Sequence, residues 1–215
     1  MIFLPNDLTD LNHSIVKFLF RRLFLLLGAL LCHALNSCAP KAPPEGSHAH
    51  FALREDYPKT SDYWKDKELY GQMTPDATRI KIDTSLQRGF LLHGEQVVID
   101  YPICSGRKTH PTPKGVYKVL EKKVEKSSNR YGRIYDAEGK LVNGDADIRI
   151  DEVPEGGKFV GAPMPYWMCL TNDGIGHHVG PVKRYPASHG CIRGPQKVIP
   201  YIFKRVQMGS EIMVD

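Results

Sequence analysis

Apolar residues at every second position of one segment constrain the fold of this chain more than any other feature. Every odd-numbered position from Val97 to Ile103 is apolar, and Ile80 and Ile82 alternate with charged residues in the same way. This period puts the apolar side chains on one face of an extended strand. With the turn signal His93-Gly94-Glu95, it predicts a half-buried antiparallel hairpin in which Gly89 to Leu92 pairs with the second strand.

The remaining apolar segments toward the C-terminus are short and separated by Gly and Pro. Four of them predict further strands, at Val116 to Leu120, Met164 to Leu170, Ile175 to Val179 and Glu211 to Val214. Before the last strand, apolar residues from Val198 to Val206 recur with helical spacing. Pro200 fits the first turn of that helix, because its missing N–H costs nothing there. The pattern is therefore mainly β with one helix.

The segment from Lys122 to Lys158 lacks this apolar pattern. It is polar, contains Gly and carries charges of both signs. We expect it to run over the surface of the domain rather than through its core. Because long excursions on a β scaffold often carry binding residues, we also expect it to line a cleft.

The N-terminus has the features of an export signal. Basic residues precede the apolar run Leu23 to Leu31, which is too short to span about 30 Å of hydrocarbon as a lone helix. The run leads to Leu35-Asn36-Ser37-Cys38, which resembles a bacterial lipobox. This resemblance implies that residues 1–37 are removed and that Cys38 carries a lipid anchor to the membrane. Ala39 then implies the outer membrane and a periplasm-facing domain. A plain cleaved signal and an uncleaved anchor are the alternatives.

Between this signal and the strands lies a stretch rich in Pro and small polar residues. Such a composition buries too little apolar surface to offset the entropy lost on ordering. We therefore predict a signal peptide at 1–37, a tether at 38–75 and a folded domain, which carries the chemistry, at 76–215. The aromatic residues near the end of the tether could instead pack as a short cap on the domain, which would move this boundary, namely Tyr57, Tyr63, Trp64 and Tyr70.

Composition excludes two classes of protein. Lys and Arg number 29 against 24 Asp and Glu, which gives a net charge of +5. This excess is too small to indicate nucleic-acid binding, and we expect no nucleic-acid partner. With 41% hydrophobic and 25% charged residues, the chain is not a polytopic membrane protein either.

Residues with catalytic potential concentrate in two short segments near the C-terminus. The first is Gly174-Ile-Gly-His-His-Val-Gly180 and the second is Ser188-His-Gly-Cys-Ile-Arg193. A thiol is a strong nucleophile only as the thiolate, and a neighbouring imidazole can take its proton and pass it to the leaving group. Cys191 and a histidine of the first segment supply that pair. The backbone N–H groups of Gly190 and Cys191 are candidates for holding an oxyanion.

The second segment resembles the signature of the L,D-transpeptidases with a YkuD-type catalytic domain, with His178 thirteen residues before the cysteine. The likeness extends over most of Arg79 to Asp215. It includes a Gly/Pro segment, from Ser105-Gly-Arg through Thr112-Pro-Lys-Gly, and a cleft strand at Met164-Pro-Tyr-Trp-Met. It leaves out the tether and the Lys122 to Lys158 excursion. The fold it implies is mainly β, a β-sandwich of mixed sheets with one flanking helix.

The resemblance also implies a reaction. Cys191 would attack the carbonyl of the third residue of a peptidoglycan tetrapeptide stem, and the terminal D-alanine would leave. His178 would take the thiol proton while the backbone carbonyl of Val179 orients its ring. An acceptor amine would then attack the thioester and join two stems. No metal and no organic cofactor is implied.

The remaining site residues are also assigned by the resemblance. Ser188, His189 and Arg193 would shape the pocket, and Arg193 would be a partner for stem carboxylates. Tyr166 and Trp167 would form cleft walls. The partners would be peptidoglycan stem peptides, and carbapenem-type inhibitors should acylate Cys191.

Two histidines compete for the role of base. If Ile175 points inward, period two puts His177 on the same side and His178 on the opposite one. The family's strand pattern also places the base at His178, so we predict His178. His177 would then indicate a wetter strand or a second polar contact.

Several assignments have structural alternatives. Arg193 could form a structural ion pair, and Tyr166 and Trp167 could belong to the core. Cys104 and Cys169 are expected in the core or in a disulfide. Four histidines lack partners at ligand spacing and are expected to be solvated, namely His48, His50, His93 and His110.

Other functions also stay open. His177, His178, His189 and Cys191 could be zinc ligands of a wall hydrolase, although no HExxH accompanies them. The domain could also be a non-catalytic wall-binding module. With water as the acceptor the same acyl-enzyme would be an L,D-carboxypeptidase, and with a protein amine it would attach protein to peptidoglycan.

Overall fold

The computed structural model describes residues 41–215, of which Pro44–Asp215 form one compact unit. The predicted signal peptide at 1–37 and the predicted lipidation site Cys38 lie outside the described residues. Within the described part of the chain, no helix has the length and the apolar character needed to cross a membrane.

Short strands dominate this unit. They are β1 (Trp64–Lys65), β2 (Thr78–Asp83), β3 (Arg88–His93), β4 (Gln96–Pro102), β5 (Gly115–Lys118), β6 (Glu121–Lys123), β7 (Ser127–Tyr135), β8 (Leu141–Asp147), β9 (Lys158–Pro163), β10 (Trp167–Cys169), β11 (Gly176–Val179), β12 (Ile192–Gly194) and β13 (Glu211–Val214). The helices are α1 (His48–Ala52), α2 (Lys67–Gln72) and α3 (Ile199–Arg205). The predicted mainly β fold is confirmed, and α3, with Pro200 in its first turn, is the predicted helix.

The largest sheet has six strands in the order β1-β4-β3-β2-β13-β5. The predicted hairpin forms its centre, because β3 pairs antiparallel with both β2 and β4. β13 runs parallel to β2 and antiparallel to β5, so the sheet is mixed. Its apolar residues share one core with α3 and the second sheet, and fully buried members include Ile80, Ile99, Ile192 and Ile202. Burying one such side chain stabilises a fold by about 1.5–3 kcal/mol.

The second sheet has four strands in the order β12-β11-β10-β6 and contains both catalytic candidate segments. β10 is shorter than the strand predicted from Met164 to Leu170. Pro165 supplies no backbone donor there, and Tyr166 has a positive φ of 55°, which breaks the extended conformation.

The expectation of a half-buried hairpin was wrong, because β4 is buried on both faces. Asp100 lies between the core residues Ile99 and Tyr101 and is itself fully buried. Asp100 pairs with the fully buried Arg88 at 2.7 Å, and His48 lies 2.8 Å from the other oxygen of the same carboxylate. Removing one partner of a buried pair of this kind costs about 3–5 kcal/mol. His48 is therefore not the solvated side chain that we expected.

The segment from Pro44 to Thr74, predicted as part of a tether, covers this second face instead. It adds β1 to the edge of the six-stranded sheet. The backbone carbonyls of Thr60 and Asp62 accept hydrogen bonds from the Arg88 guanidinium at 3.1 Å and 3.3 Å. The aromatic cap considered as the alternative is observed, because Tyr63 and Tyr70 pack against the core. The contacts of His48, Thr60 and Asp62 were not indicated by composition, because they are hydrogen bonds to residues far away in sequence rather than parts of an apolar stripe.

The excursion predicted from Lys122 to Lys158 is ordered as well. β7, β8 and the beginning of β9 lie in it, and these strands form a three-stranded antiparallel sheet in the order β8-β7-β9. Few of its side chains are buried, among them Ile134 and Ala146, which explains the weak apolar pattern. The expectation that it lines a cleft is confirmed, since residues of β7 and β9 border the cavity described next.

Candidate active site

The parallel pairing of β11 and β12 brings the two candidate segments together. His177 lies opposite Ile192 and His178 opposite Arg193, so Cys191 stands one residue before the paired part of β12. His178 and Cys191 both line one cavity of about 1230 Å³, which is bordered by residues of the second sheet and of the three-stranded sheet.

The turn before Cys191 requires glycine. Gly190 has a φ of +109°, and a Cβ there would lie 2.5 Å from Cδ1 of Ile175. Thr112 Oγ1 donates a hydrogen bond of 2.7 Å to the Gly190 carbonyl and so ties the turn to the Gly/Pro segment. The nucleophile candidate is therefore presented by a turn that is fixed on both sides.

His178 is buried, with one ring nitrogen occupied. Nδ1 lies 2.7 Å from the Val179 carbonyl oxygen, which can only accept, so Nδ1 carries the proton and Nε2 is left as the acceptor. This is the contact that the resemblance implied for Val179. Burial lowers the pKa of His178 to about 4, against the opposing effect of the Val179 hydrogen bond. The imidazole is therefore neutral at pH 7.

Cys191 is partly exposed in the cavity, and its Sγ lies 3.7 Å from the Gly174 carbonyl oxygen. Burial of the sulfur raises the pKa of Cys191, while a backbone hydrogen bond at Gly176 and the charge of Arg193 oppose the shift. The resting pair is therefore a neutral thiol and a neutral imidazole rather than an ion pair. In such a pair the proton moves as the sulfur attacks.

His177 lies on the other side of β11, in the core. Its Nδ1 is 2.9 Å from the Ile192 carbonyl oxygen and its Nε2 is 2.9 Å from the Tyr101 hydroxyl. Nδ1 therefore donates and Nε2 accepts, which leaves neither nitrogen free. Burial lowers the pKa of His177 to about 4 too. Of the two readings left open for His177, a polar contact in a dry core is the one observed.

The oxyanion assignment for the Gly190 N–H was wrong. That N–H donates to Ser188 Oγ at 3.1 Å, so it is already satisfied within the turn. Among residues 41–215, the neighbouring Cys191 N–H has no hydrogen-bond acceptor. It is therefore the donor that the turn leaves available.

Ser188 does not border the cavity, contrary to the prediction. It is fully buried, and its hydroxyl donates to the Cys191 carbonyl while accepting from the Gly190 N–H. The side chain thus shapes the turn that carries the nucleophile, and a substrate cannot reach it.

The two residues predicted as cleft walls, Tyr166 and Trp167, lie in different environments. Trp167 is buried and borders the cavity, with its ring centroid 6.0 Å from that of His178. A Cβ on Gly176 would lie 2.4 Å from this indole, so glycine is needed for the ring to lie against β11. Tyr166 packs instead on Phe203, with ring centroids 5.5 Å apart, and belongs to the core. The prediction of Tyr166 as a wall was wrong.

His189 borders the cavity as predicted and is held by neighbours from two other segments. Its Nε2 lies 2.6 Å from Nη2 of Arg107, and its ring stacks on Tyr131 with centroids 4.2 Å apart. Arg107 also contacts Asp145 at 3.2 Å. Burial lowers the pKa of His189, partly offset by the charge of Asp145. Because Arg107 can only donate, His189 Nε2 accepts.

Sequence reasoning missed three of these residues. Tyr131 and Asp145 lie in the three-stranded sheet, where nothing in the sequence marked them. Arg107 belongs to the Gly/Pro segment that the resemblance covers. The resemblance therefore included its position but did not predict its contact with His189. His110, expected to be solvated, also borders the cavity.

Arg193 borders the cavity, and within residues 41–215 its guanidinium forms no salt bridge. The structural ion pair considered as an alternative is therefore absent from this part of the chain. Of the two alternatives for Cys104 and Cys169, the disulfide is not observed, because both thiols are free. Cys104 is buried, whereas Cys169 is partly exposed and borders the cavity.

The zinc-site alternative does not match the donor arrangement. His177 has both nitrogens occupied in the core, away from the cavity that His178 borders. Among residues 41–215, no group of three or more His, Cys, Asp or Glu side chains is placed to hold a metal ion.

Residues 77–214 match the family model of the YkuD L,D-transpeptidase catalytic domain. No curated protein sequence matches the chain.

Similar solved structures include L,D-transpeptidases from three bacteria. An L,D-transpeptidase from Mycobacterium smegmatis is 18% identical, with a TM-score of 0.49 over 65% of this chain and 58% of that one. The Enterococcus faecium enzyme is 24% identical, with a TM-score of 0.46 over 65% and 50%. L,D-transpeptidase 3 of Mycobacterium tuberculosis, solved with a faropenem-derived adduct, is 20% identical, with a TM-score of 0.46 over 65% and 60%. The chain thus spans between 50% and 60% of the length of these proteins.

Proposed function

The chain belongs to the YkuD family of L,D-transpeptidase catalytic domains, and we propose that it is a peptidoglycan L,D-transpeptidase with Cys191 as its nucleophile. The observation that carries this proposal is the hydrogen bond from His178 Nδ1 to the Val179 carbonyl at 2.7 Å. It leaves Nε2 unprotonated on a histidine that borders the same cavity as the thiol. A fixed tautomer of this kind is what a general base requires.

The first half-reaction forms a thioester. The Cys191 sulfur attacks the carbonyl carbon of the third stem residue while His178 Nε2 takes the thiol proton. The Cys191 N–H stabilises the oxyanion, because the turn leaves this donor unused. His178 then returns the proton to the amine of the departing D-alanine as the carbon–nitrogen bond breaks.

The second half-reaction releases the acyl group. An acceptor amine attacks the thioester carbonyl, its proton passes to His178, and the Cys191 sulfur leaves and is reprotonated. With the amine of a second stem the product is a cross-link between third residues. Water gives an L,D-carboxypeptidase by the same steps, and a protein amine gives attachment of that protein to the wall.

The location follows from the N-terminal sequence. We propose that Cys38 is lipidated and holds the domain at the periplasmic side of the outer membrane, where peptidoglycan stems are accessible. Replacement of Cys38 by Ser should then release the protein from the membrane fraction, and unchanged fractionation would contradict the anchor. Carbapenem-type inhibitors should acylate Cys191, because they present an activated carbonyl to the same thiol.

The test is intact-protein mass spectrometry of the purified chain mixed with a disaccharide-tetrapeptide, with products analysed in the same run. We compare wild type, Cys191→Ala and Cys169→Ala. Cys169 is the matched control, because it is a second free cysteine that borders the same cavity.

We expect a thioester-sized adduct on wild type and Cys169→Ala, none on Cys191→Ala, release of D-alanine, and dimeric products. Trimmed monomer without dimers would assign the carboxypeptidase instead. An adduct that persists on Cys191→Ala would refute the mechanism.

A further inference from the structure

The cavity around Cys191 carries an excess of positive charge beyond Arg193. Four more cationic side chains border it, and three of them are unpaired, namely Lys126 before β7, Arg133 on β7 and Lys183 after β11. Within residues 41–215, neither these three nor Arg193 forms a salt bridge. Their charges are therefore not neutralised by the described part of the chain.

Most of the acidic groups that border the cavity are already engaged. Glu121 pairs with Lys123 and accepts a hydrogen bond from Trp167 at 3.2 Å. Asp145 lies 3.2 Å from Arg107. Asp173 is exposed and forms no salt bridge among residues 41–215. Among the side chains that border the cavity, one carboxylate and four cations are thus left without a salt bridge in residues 41–215.

A further cation on the same wall shows the contrast. Arg130 also borders the cavity, but Asp147 binds it at 2.8 Å. The chain therefore neutralises one cation of β7 and leaves another, Arg133, without a partner. Lining a water-filled cleft with unpaired charge of one sign raises the local concentration of ligands of the opposite sign.

We propose that Lys126, Arg133 and Lys183 form an anion subsite that selects ligands with free carboxylates for delivery to Cys191. The proposal rests on the proposed function, since a peptidoglycan stem is then the ligand. In that setting the subsite distinguishes stems whose side-chain and α-carboxyl groups are free from stems in which they are carboxamides. Two of the three residues, Lys126 and Arg133, lie in the excursion that the resemblance did not cover.

The first experiment needs no turnover. Cys191 is alkylated with iodoacetate, which is anionic, and with iodoacetamide, which is neutral and of similar size. The ratio of the two rates is compared with that of a small neutral thiol. Peptide mapping separates Cys191 from Cys169. If the cavity is positively charged, the ratio of the iodoacetate rate to the iodoacetamide rate is higher at Cys191 than for the small thiol, and added salt lowers this ratio.

Single Gln variants of the three residues should each lower this ratio about twofold at low salt, from the Coulomb energy of one charge at roughly 8 Å in water. The triple variant should bring it close to that of the small thiol. Lys158→Gln is the matched control, because Lys158 is an exposed cation of β9 that does not border the cavity. Its ratio should stay at the wild-type value. Thermal unfolding of each variant confirms that the fold is kept.

The second experiment compares KM for a tetrapeptide stem with free carboxylates and for the same stem with carboxamides. Wild type should have the lower KM for the free acid, and the triple variant should lose that preference through a higher KM for the free acid. If no stem is turned over, the proposed function is refuted, whereas the alkylation result still stands. A wild-type alkylation ratio equal to that of the small thiol, or a preference that survives in the triple variant, would overturn the subsite.

Discussion

The two sides of strand β11 present the same residue type to two different environments. His177 faces the core and His178 faces the cavity, both are buried, and burial lowers the pKa of both to about 4. They differ in the hydrogen bonding of the second ring nitrogen, Nε2. On His177 it accepts from the Tyr101 hydroxyl at 2.9 Å, whereas on His178 only Nδ1 has a partner within residues 41–215.

This difference shows that neither burial nor the pKa distinguishes the proposed base from the structural histidine here. The bonding of the second nitrogen does so. A histidine with both nitrogens occupied stabilises its surroundings and cannot move a proton without breaking a contact. One with a single fixed nitrogen holds its tautomer and keeps the other available.

The largest expected effect is on His178. His178→Ala should lower kcat for stem turnover by about 10²–10⁴-fold, because the attacking thiol loses its proton acceptor. Thermal unfolding should change less than in His177→Ala, because His178 borders the cavity, where water can fill the space, and its second ring nitrogen has no partner to leave unpaired within residues 41–215. His177→Ala is the control, and its activity per folded molecule should be retained. The reverse ranking of the two variants would show that the base was assigned to the wrong histidine.

A smaller effect is expected on stability when His177, on the core-facing side of β11, is replaced. His177→Ala should lower the free energy of unfolding by roughly 2–4 kcal/mol, because it opens a cavity and leaves the Tyr101 hydroxyl without its acceptor. Urea titration measures this change. Tyr101→Phe removes the donor alone and should cost about 1 kcal/mol. Equal losses in His177→Ala and His178→Ala would mean that the two sides of β11 do not differ in the way that we infer.

The smallest effect, counted per pH unit, is a shared pH dependence of stability. Both histidines have an ordinary pKa of 6.5 that is lowered to about 4 in the folded chain. Between these values the unfolded chain binds protons that the folded chain does not, so the free energy of unfolding falls as the pH falls. The slope is at most about 1.4 kcal/mol per pH unit for each imidazole.

Urea titrations from pH 7 to pH 4 test this dependence. His178→Gln should remove one of the two contributions and make the slope shallower, and His177→Gln should do the same. A slope that neither variant changes would assign the acid sensitivity to other groups.

A second contrast explains how much could be predicted. The central hairpin, the strand at Glu211–Val214 and the helix at Ile199–Arg205 were predicted because each buries a periodic apolar face in one core. The segment from Pro44 to Thr74 was predicted as part of a tether, with an aromatic cap as the alternative, and the β8-β7-β9 sheet was predicted only as a surface excursion. They are held by ion pairs, backbone hydrogen bonds and aromatic contacts between residues far apart in sequence, and such contacts leave no local period.

The same limit applies to the site. Cys191, His178 and the Val179 carbonyl were identified from two short motifs, and the structure brings them to one cavity or to one contact as expected. The motif could not show that Ser188 is sealed in the turn or that Tyr166 faces the core. A motif fixes which residue types stand at which spacing, but side-chain direction depends on the neighbouring strands.

By itself, the sequence determined the family, the strand-rich core, and the thiol and imidazole that we assign to the chemistry. The core follows from the periodicity of apolar residues, whereas the family and the roles of the thiol and the imidazole follow from the resemblance of two short motifs to a known signature. The tertiary structure alone decided which N–H is free for an oxyanion, which histidine nitrogen is free, and which cations remain unpaired around Cys191. Each of these is settled by partners brought together across the fold, because whether a polar group is satisfied depends on its neighbours in space rather than in sequence.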